Sequence, residues 1–340
     1  MVAYTGIQGQ NILIVSSDPA NPVEGQIWYN TTSNLLKGYT YGVASWASGG
    51  NMTEANHANA GSGIQTAALT FGGVNPSVGS VGTAVTQIYN GSSWTNTGNL
   101  NTARYAMNGA GSQTATYGNG GYTGVPTGGY QNKTEHFSGS TWSNQTNSPR
   151  LISSGTGCGS QTAALVSGGY NEPVGWSQSS LLYTGGVWTT GANFASPTTL
   201  GAQSAGSAGS QTAAIVFGGY IPPSATGQGS QTWNGSAFSV APNLNNAAYR
   251  SGAGTQNAAI AFGQSGPGGA TNWTELYNGS SWTNTTGFST PRQDIQQNSA
   301  NSAPSSSALI FGGQNSSGTP IASTEEFTGA VLTTKTITTS

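Results

Sequence analysis

The side chains that most often carry out acid–base or metal chemistry are scarce in this sequence. The two histidines, His57 and His136, lie at different positions of an internal repeat, and Cys158 is the single cysteine. A zinc site needs three or four His, Cys or carboxylate ligands, so the sequence predicts no metal site and no cofactor. Neighbouring copies of the repeat have Ala110 and Ala208 where Cys158 lies, which favours a buried small residue over a reactive thiol.

The carboxylates follow the repeat and do not form a single isolated pair. Glu135, Glu275 and Glu325 each precede an aromatic residue at one position of the repeat. Four arginines lie near the start of its first strand: Arg104, Arg150, Arg250 and Arg292. Glycoside hydrolysis needs one carboxylate pair on either side of one bond. Recurrence in several copies favours structural Arg–Glu pairing, so no catalytic residue is predicted.

Aromatic side chains in the long variable segments are better candidates for a binding function. Six are predicted to be exposed ligand-binding residues: Tyr122, Tyr130, Tyr170, Trp176, Tyr220 and Trp273. A flat ring with a polar edge can stack on a sugar or dock a protein partner. The same ring can also pack against a neighbouring loop, and the sequence leaves these two interpretations open.

Repetition is the property that positions these residues. The stretch Gln65–Gly73 returns as Gln161–Gly169 and Gln211–Gly219, with weaker copies at Asn257–Gly263 and Ser307–Gly313. The first glycine of each copy falls at 72, 120, 168, 218, 263 and 312. A step of about 45 to 50 residues is typical of solenoid and propeller repeats.

A second repeated element ends in a large apolar residue. Gln87–Trp94 is matched by Glu135–Trp142 and Glu275–Trp282, and its Asn-Gly dipeptides suit tight type I′ hairpins. The structural position at its end is predicted to be filled by Trp46, Trp94, Trp142, Trp188, Phe238, Trp282 and Leu332. Each copy therefore predicts four short strands, with the first, of small residues, at a crowded central axis.

These patterns predict an all-β fold, a β-propeller of six four-stranded blades. The predicted blades are 52–98, 101–146, 149–190, 198–240, 246–285 and 291–335. Residues 1–25 are predicted to be an attachment arm and linker, followed by a propeller domain at 26–340 that begins with a closing hairpin at 26–50. That hairpin and the Trp46 strand either lock the ring or form a partial seventh blade.

Composition excludes two classes of partner. The chain has seven Lys and Arg residues and a net charge of −2, too few cations to neutralise a nucleic-acid backbone. No apolar run approaches the roughly 20 residues that cross a bilayer, so no membrane insertion is expected. The 53 glycines would favour disorder, but aromatic residues that recur at a fixed interval favour a packed β structure.

Strand direction predicts where binding occurs. In four-stranded antiparallel blades, the loops between the second and third strands all lie at one face. These loops are long and differ in every copy: 74–85, 122–133, 170–179, 220–229, 265–273 and 314–323. Variable loops on a rigid scaffold are the usual place for binding residues, so the long-loop face is the predicted binding face.

Two resemblances follow from these motifs. The apolar strand ending in Gly-Gly, the Tyr about 16 residues later and the Trp five residues after that resemble the kelch repeat over residues 52–335. The third copy departs from it, because Leu165–Ser167 lacks the aromatic residue before Gly-Gly. The segment Asp18–Thr32, with Gly25–Thr32 at its core, is similar to a segment common in tail-fibre and other structural proteins of marine bacteriophages, which often carry the same Gln-Thr-Ala-Ala-Leu repeats.

The phage resemblance implies a function. It implies a non-enzymatic virion structural protein at the particle surface, either a fibre or a surface-attached module. The arm at 1–25 would bind other virion proteins, and the long-loop face would bind a host-surface glycan or a neighbouring virion protein. A capsid decoration protein without a receptor role and a carbohydrate-active propeller enzyme are the alternatives, and the oligomeric state is left open.

Overall fold

The structure is a computed structural model in which every regular element of the described residues is a β-strand. The described residues are 12–75, 81–124, 129–171, 175–195, 203–221, 225–266, 269–295 and 303–338. The chain divides into a small unit, Met1–Ala44 with Gly329–Ser340, and a large unit, Ser45–Thr328. Within the described ranges there is no helix long and apolar enough to span a membrane. Residues 1–11 of the predicted arm lie outside these ranges.

The small unit is a four-stranded sheet whose strands lie in the order Leu13–Val15, Ile27–Asn30, Leu35–Tyr41 and Leu332–Thr336. The first pair is parallel and the other two pairs are antiparallel. Asp18 ties its loop to this sheet. It accepts hydrogen bonds from Trp28 Nε1 at 3.0 Å, Asn30 Nδ2 at 2.7 Å and Lys37 Nζ at 2.8 Å.

The large unit is a β-propeller of six blades, as predicted. Blades 1 to 5 are antiparallel sheets whose four strands pair in chain order. Blade 1 contains Ala60–Ile64, Ala67–Phe71, Thr86–Tyr89 and Trp94–Asn96; blade 2 contains Asn108–Gly111, Thr116–Asn119, Thr134–Phe137 and Trp142–Gln145; blade 3 contains Thr156–Gly159, Ala163–Ser167, Ser179–Thr184 and Val187–Asn193. Blade 4 contains Gly206–Gly209, Ala214–Phe217, Ser230–Trp233 and Phe238–Ala241; blade 5 contains Ser251–Thr255, Ala258–Gly266, Gly269–Tyr277 and Trp282–Thr285.

Blade 6 is completed by a strand from the other end of the large unit. Its described strands are Leu309–Phe311, Thr324–Thr328 and Ser45–Ser48, and Trp46 lies opposite Phe327. The Trp46 strand therefore locks the ring, which is one of the two predicted arrangements, and the described residues form no seventh blade. Residues 296–302, which precede these strands in the last repeat, lie outside the described ranges.

The placement of Leu332 in the last blade was wrong. Leu332 pairs with Tyr41 in the small unit, and the outer position of blade 6 belongs to Trp46. The physical reason is ring packing, because Trp46 lies within 5.6 Å of the rings of Phe262, Phe288 and Phe327. An aliphatic Leu side chain supplies no such ring.

Aromatic side chains wedge neighbouring blades together. The outer-strand ring of each blade packs on the second strand of the preceding blade, with ring centroids 4.9 Å apart for Trp142–Phe71, Trp282–Phe217 and Trp94–Phe311, 5.6 Å for Trp46–Phe262 and 6.4 Å for Trp188–Tyr117. Phe238 packs in a cluster with Leu165 of blade 3. Each such ring buries about 150–250 Å², worth about 4–6 kcal/mol at 25 cal/mol per Å². These wedge aromatics form the core between blades.

The wedge aromatics account for two further repeated residue types, threonines that accept a hydrogen bond from the indole and small residues that leave space for a ring. Trp142 Nε1 donates to Thr86 Oγ1 of the preceding blade at 3.0 Å, and Trp94 Nε1 donates to Thr324 Oγ1 at 2.9 Å. A buried indole N–H needs such a partner. Small residues in the first strand leave room for the phenylalanine ring of the preceding blade. A Cβ on Gly109 would lie 2.6 Å from Phe71 Cζ.

The glutamine of each Gln-Thr-Ala copy is an inter-blade clamp. Gln113 Nε2 donates to the carbonyl oxygens of Ala68 at 3.1 Å and Tyr89 at 2.6 Å, both in the preceding blade. The same pair of bonds is made by Gln65, Gln161, Gln211 and Gln256. The bonds of Gln65 reach Ala308 and Phe327 in blade 6, so they close the ring.

Candidate functional site

A ring of backbone hydrogen bonds marks the axial end of the long-loop face. It joins one residue per blade, and its described bonds are 2.8–3.1 Å long. We call these residues the axial rim: Ala58, Ala106, Ser154, Ser204, Arg250 and Asp294. All except Arg250 have a positive φ of 51–54°. Such a backbone costs non-glycine residues about 1–3 kcal/mol each and occurs most often at functional sites.

In five of the six blades, the residue before the rim position pairs with the first residue after Gly-Gly. These bridges join His57 to Val74, Tyr105 to Tyr122, Ser153 to Tyr170, Gln203 to Tyr220 and Gln293 to Gln314. The bridges continue the backbone pairing beyond the Gly-Gly turns and hold the first residues of the long loops. Loop side chains are thereby fixed close to the rim.

Seven aromatic rings lie in one continuous chain on this face. We call it the aromatic ladder: Tyr105, Tyr122, Tyr130, Tyr170, Trp176, Tyr220 and Tyr249. Successive ring centroids are 4.7–5.9 Å apart, and Tyr130 and Tyr170 are stacked. All seven rings are at least partly open to solvent, and Trp176 is 37% exposed. Burial raises the pKa of Tyr105 and of Tyr249, so both hydroxyls stay protonated at neutral pH.

Five of the six predicted ligand-binding residues belong to the ladder, and Trp273 does not. The side chain of Arg250 lies 5.9 Å from the centroid of the Trp273 ring. Trp273 lines a separate cleft of about 270 Å³ with Asn246 and Asn284. Its exposed fraction is 37%, the same as that of Trp176. The ligand-binding role of all six residues stays a prediction.

The sequence analysis missed Tyr105 and Tyr249, which begin and end the ladder. Both lie just before a first strand, at a position filled by His, Tyr, Ser or Gln in different blades although its neighbours repeat. That local variation was a usable signal. The residues predicted to bind all lie in the long variable segments, and Tyr105 and Tyr249 lie outside them.

A cavity of about 170 Å³ opens beside the ladder between blades 2, 3 and 4. Four ladder tyrosines and Trp176 form its aromatic wall, and Ser153, Ser154 and Gln203 supply polar groups. Ala106 completes the lining. Every side chain of this wall is uncharged.

The rim between blades 6 and 1 is polar instead. His57 Nδ1 lies 3.7 Å from Asp294 Oδ2. Burial lowers the pKa of His57 and raises that of Asp294, although the opposite charge of each partner counteracts the effect. Burial therefore favours the uncharged form of both groups. The described residues contain no cluster of three or more His, Cys or carboxylate side chains suited to a metal ion.

Most other carboxylates of the large unit are held in structural contacts. Three form buried ion pairs within a blade: Arg104–Glu135 at 2.7 Å, Arg250–Glu275 at 2.8 Å and Arg292–Glu325 at 2.8 Å. Burial lowers the pKa of each arginine, and the facing carboxylate counteracts that shift. The predicted structural pairing is thus confirmed for these three. Arg150 donates instead to Ser177 and Ser179.

Comparison with known proteins identifies the fold and no family. Neither the protein-family models nor the curated proteins contain a match to this chain. Among solved structures, the chain is similar to one described as "Structure of YjhT", with a TM-score of 0.65 and 13% sequence identity. The likeness covers 84% of this chain and 99% of that one. At this identity it supports the β-propeller fold alone.

Proposed function

We propose that this chain is a non-enzymatic structural protein of a bacteriophage virion, present at the particle surface as a fibre or surface-attached module. We further propose that it binds a host-surface glycan through the aromatic ladder. The ladder is the single observation that carries the binding proposal. The virion assignment is supported by the resemblance of Asp18–Thr32 and of the Gln-Thr-Ala-Ala-Leu repeats to phage structural proteins.

The ladder has the properties expected of a sugar-binding surface. Its rings lie on loops held by a rigid scaffold, which is where binding residues concentrate. A pyranose ring presents C–H groups on its faces and hydroxyls on its edge, so it suits aromatic walls with a few polar groups between them. The rings of Tyr170 and Trp176 have centroids 4.8 Å apart and an interplanar angle of 79°, so they form two aromatic walls that meet nearly at a right angle.

The small unit has the surface expected of an attachment element. Among the described residues, it contains seven exposed large apolar side chains: Leu13, Ile14, Val23, Leu35, Tyr41, Val43 and Val331. Exposed apolar side chains supply much of the contact area of protein–protein interfaces. They support binding of other virion proteins through this unit, which includes residues 12–25 of the predicted arm.

Two tryptophans with equal exposure test the glycan proposal. The purified protein is applied to a glycan array, and the glycans that bind are titrated into Trp176→Ala and Trp273→Ala. Loss of one well-packed ring at a binding site costs about 2 kcal/mol or more, which is about thirtyfold in affinity. We expect that loss for Trp176→Ala and unchanged affinity for Trp273→Ala. No glycan binding by the wild type would remove the receptor role and leave the decoration protein, and equal affinities of both variants would remove the ladder as the binding site.

The carbohydrate-active enzyme is a second candidate because Asp294 and His57 lie together at the rim. A carboxyl group with a raised pKa could act as a general acid. Incubating the protein with each glycan that binds, followed by mass spectrometry, separates the candidates. Product formation that disappears in Asp294→Asn would favour the enzyme. We expect unchanged glycans.

A further inference from the structure

We propose that the 170 Å³ cavity is a seat for one uncharged hexopyranose ring at an end of the glycan. The inference rests on the proposed glycan binding and deepens it. It states the ligand class and the part of the ligand that is recognised. We call the cavity the Ser153 seat, after the residue at its base.

The seat exists because of one small residue. The positions equivalent to Ser153 are occupied by His57, Tyr105, Gln203, Tyr249 and Gln293, all with longer side chains. Ser153 therefore leaves room between Tyr105 and Gln203 at the rim. The ladder rings Tyr130, Tyr170 and Trp176 border the same space.

The size of the seat fits a single ring. A cavity of about 150 Å³ is enough to hold one six-membered ring such as benzene. The seat has about 170 Å³, so one pyranose ring occupies it and the rest of a glycan must lie outside. A terminal ring fits such a seat best, because it carries one glycosidic bond out of the seat and an internal ring carries two.

Unsatisfied polar groups point to a hydrogen-bonding ligand. Ser153 and Ser154 are only 4% and 7% exposed, and both line the seat. Their hydroxyls and the side-chain amide of Gln203 form no hydrogen bond with any described residue. These polar atoms are within reach of solvent, so they are open to a ligand that enters the cavity. Sugar hydroxyls would supply partners to all three.

The lining also sets the charge of the ligand. The nine lining residues carry no charged side chain. Moving a carboxylate or an ammonium group into such a site loses hydration without an opposite charge in return. The seat therefore favours neutral hexosides over uronic acids and amino sugars.

Filling the seat tests the proposal while every ladder residue is kept. Ser153→Tyr places at this position the residue that blades 2 and 5 already carry there, as Tyr105 and Tyr249, so the blade geometry accepts it. The matched control is Gln293→Tyr, the same change at the equivalent position of blade 6. The probes are methyl glycosides of glucose, galactose and mannose, their uronic-acid and amino counterparts, and the array-selected oligosaccharide. Affinity is measured by calorimetric titration.

The proposal predicts that a neutral methyl hexoside binds nearly as well as the oligosaccharide with the same end. Ser153→Tyr should weaken both by about thirtyfold or more, while Gln293→Tyr leaves them unchanged. Gln203→Ala, which removes one hydrogen-bonding group, should weaken binding by about tenfold. It tests the seat independently if the tyrosine variant does not fold.

Three results would overturn the seat. They are tighter binding of charged sugars, affinity that rises with every added sugar, and full binding by Ser153→Tyr. If any of these occurred while Trp176→Ala still lost affinity, the glycan-binding function would stand and only the seat would be wrong. Wild-type protein that binds no probe would overturn both.

Discussion

The wedge aromatics and the aromatic ladder use the same residue types for different purposes. Wedge rings such as Trp142 are buried, recur in every blade and pack on the preceding blade. Ladder rings such as Trp176 are half open, occur only in blades 2 to 5 and pack on one another. The difference teaches that recurrence in this chain marks what the fold needs. Aromatic residues that recur in only some of the blades, such as Tyr122, Tyr170 and Tyr220, are the ones free to bind.

The largest effect should come from removing a wedge ring. Trp142→Ala deletes a buried indole that contacts Phe71 and bonds Thr86, and we expect a loss of about 3–5 kcal/mol in the free energy of unfolding. Trp176→Ala should cost less than about 1 kcal/mol, because its ring is partly exposed. Chemical denaturation of both variants measures the contrast. Equal losses would erase the distinction between the two sets.

The repeated ion pairs extend the comparison to charged residues. Glu135→Gln leaves the buried Arg104 guanidinium without its carboxylate, which should cost about 3 kcal/mol of unfolding free energy. Asp294→Asn changes the one rim position that carries a carboxylate among the six, and it should cost less than about 1 kcal/mol, since Asp294 is 39% exposed at its side chain. Thermal unfolding of the two variants decides the point, and a larger loss in Asp294→Asn would contradict it.

Two glutamines provide a smaller contrast. Gln113→Ala leaves the carbonyls of Ala68 and Tyr89 without their inter-blade donor, so we expect a loss of about 1–3 kcal/mol. Gln203→Ala removes a side chain that bonds no described residue, and its effect on stability should be near zero. Denaturation midpoints of the pair give the answer. A stable Gln113→Ala would show that the clamp is dispensable.

A substitution at the rim should raise stability slightly. Ala106 has φ 52°, and glycine adopts this backbone without the steric cost that alanine bears. Ala106→Gly should therefore add up to about 1 kcal/mol, reduced by the greater freedom of glycine in the unfolded chain. Ala110→Gly, in a regular strand of the same blade, should destabilise. If both changes destabilised, the rim would carry no backbone strain.

The smallest effect concerns pH and lies outside both aromatic sets. Hydrogen bonds from Lys37, Trp28 and Asn30 lower the pKa of Asp18 from 3.8 to about 2. A lowered pKa gives a stabilising contribution that is complete above about pH 4 and is lost as pH falls toward 2. We expect NMR signals of the Trp28 indole to follow this titration. Asp18→Asn should abolish the dependence, and an Asp18 that titrates near 4 would contradict the network.

The fold was accessible from sequence because its determinants recur. Repeated Trp, Gly-Gly and Gln-Thr-Ala positions predicted six blades, since each repeat must bury the same ring and satisfy the same carbonyls. The sequence did not decide whether Leu332 or Trp46 fills the outer position of blade 6, because both follow a hairpin-like segment at the same spacing. Only the ring cluster around Trp46 distinguishes them.

The candidate site was only partly accessible. Loop position suggested Tyr170 and Trp176, but which rings touch depends on the paths of individual loops, and no local pattern encodes those paths. Trp273 shows the consequence, because it has the expected residue type and exposure and lies beside Arg250 instead. The Ser153 seat was invisible in the sequence, since a small residue attracts attention only when its neighbours are known to be large.

The most direct test of the two-set account is a titration of the array-selected glycan into Tyr170→Ala, with unfolding measured on the same sample. Tyr170 stacks on Tyr130 and contacts Trp176, so it lies at the middle of the ladder. The account predicts affinity weakened by about tenfold or more and a nearly unchanged unfolding midpoint. Unchanged affinity with a clear loss of stability would contradict it, because the ladder would then be loop packing.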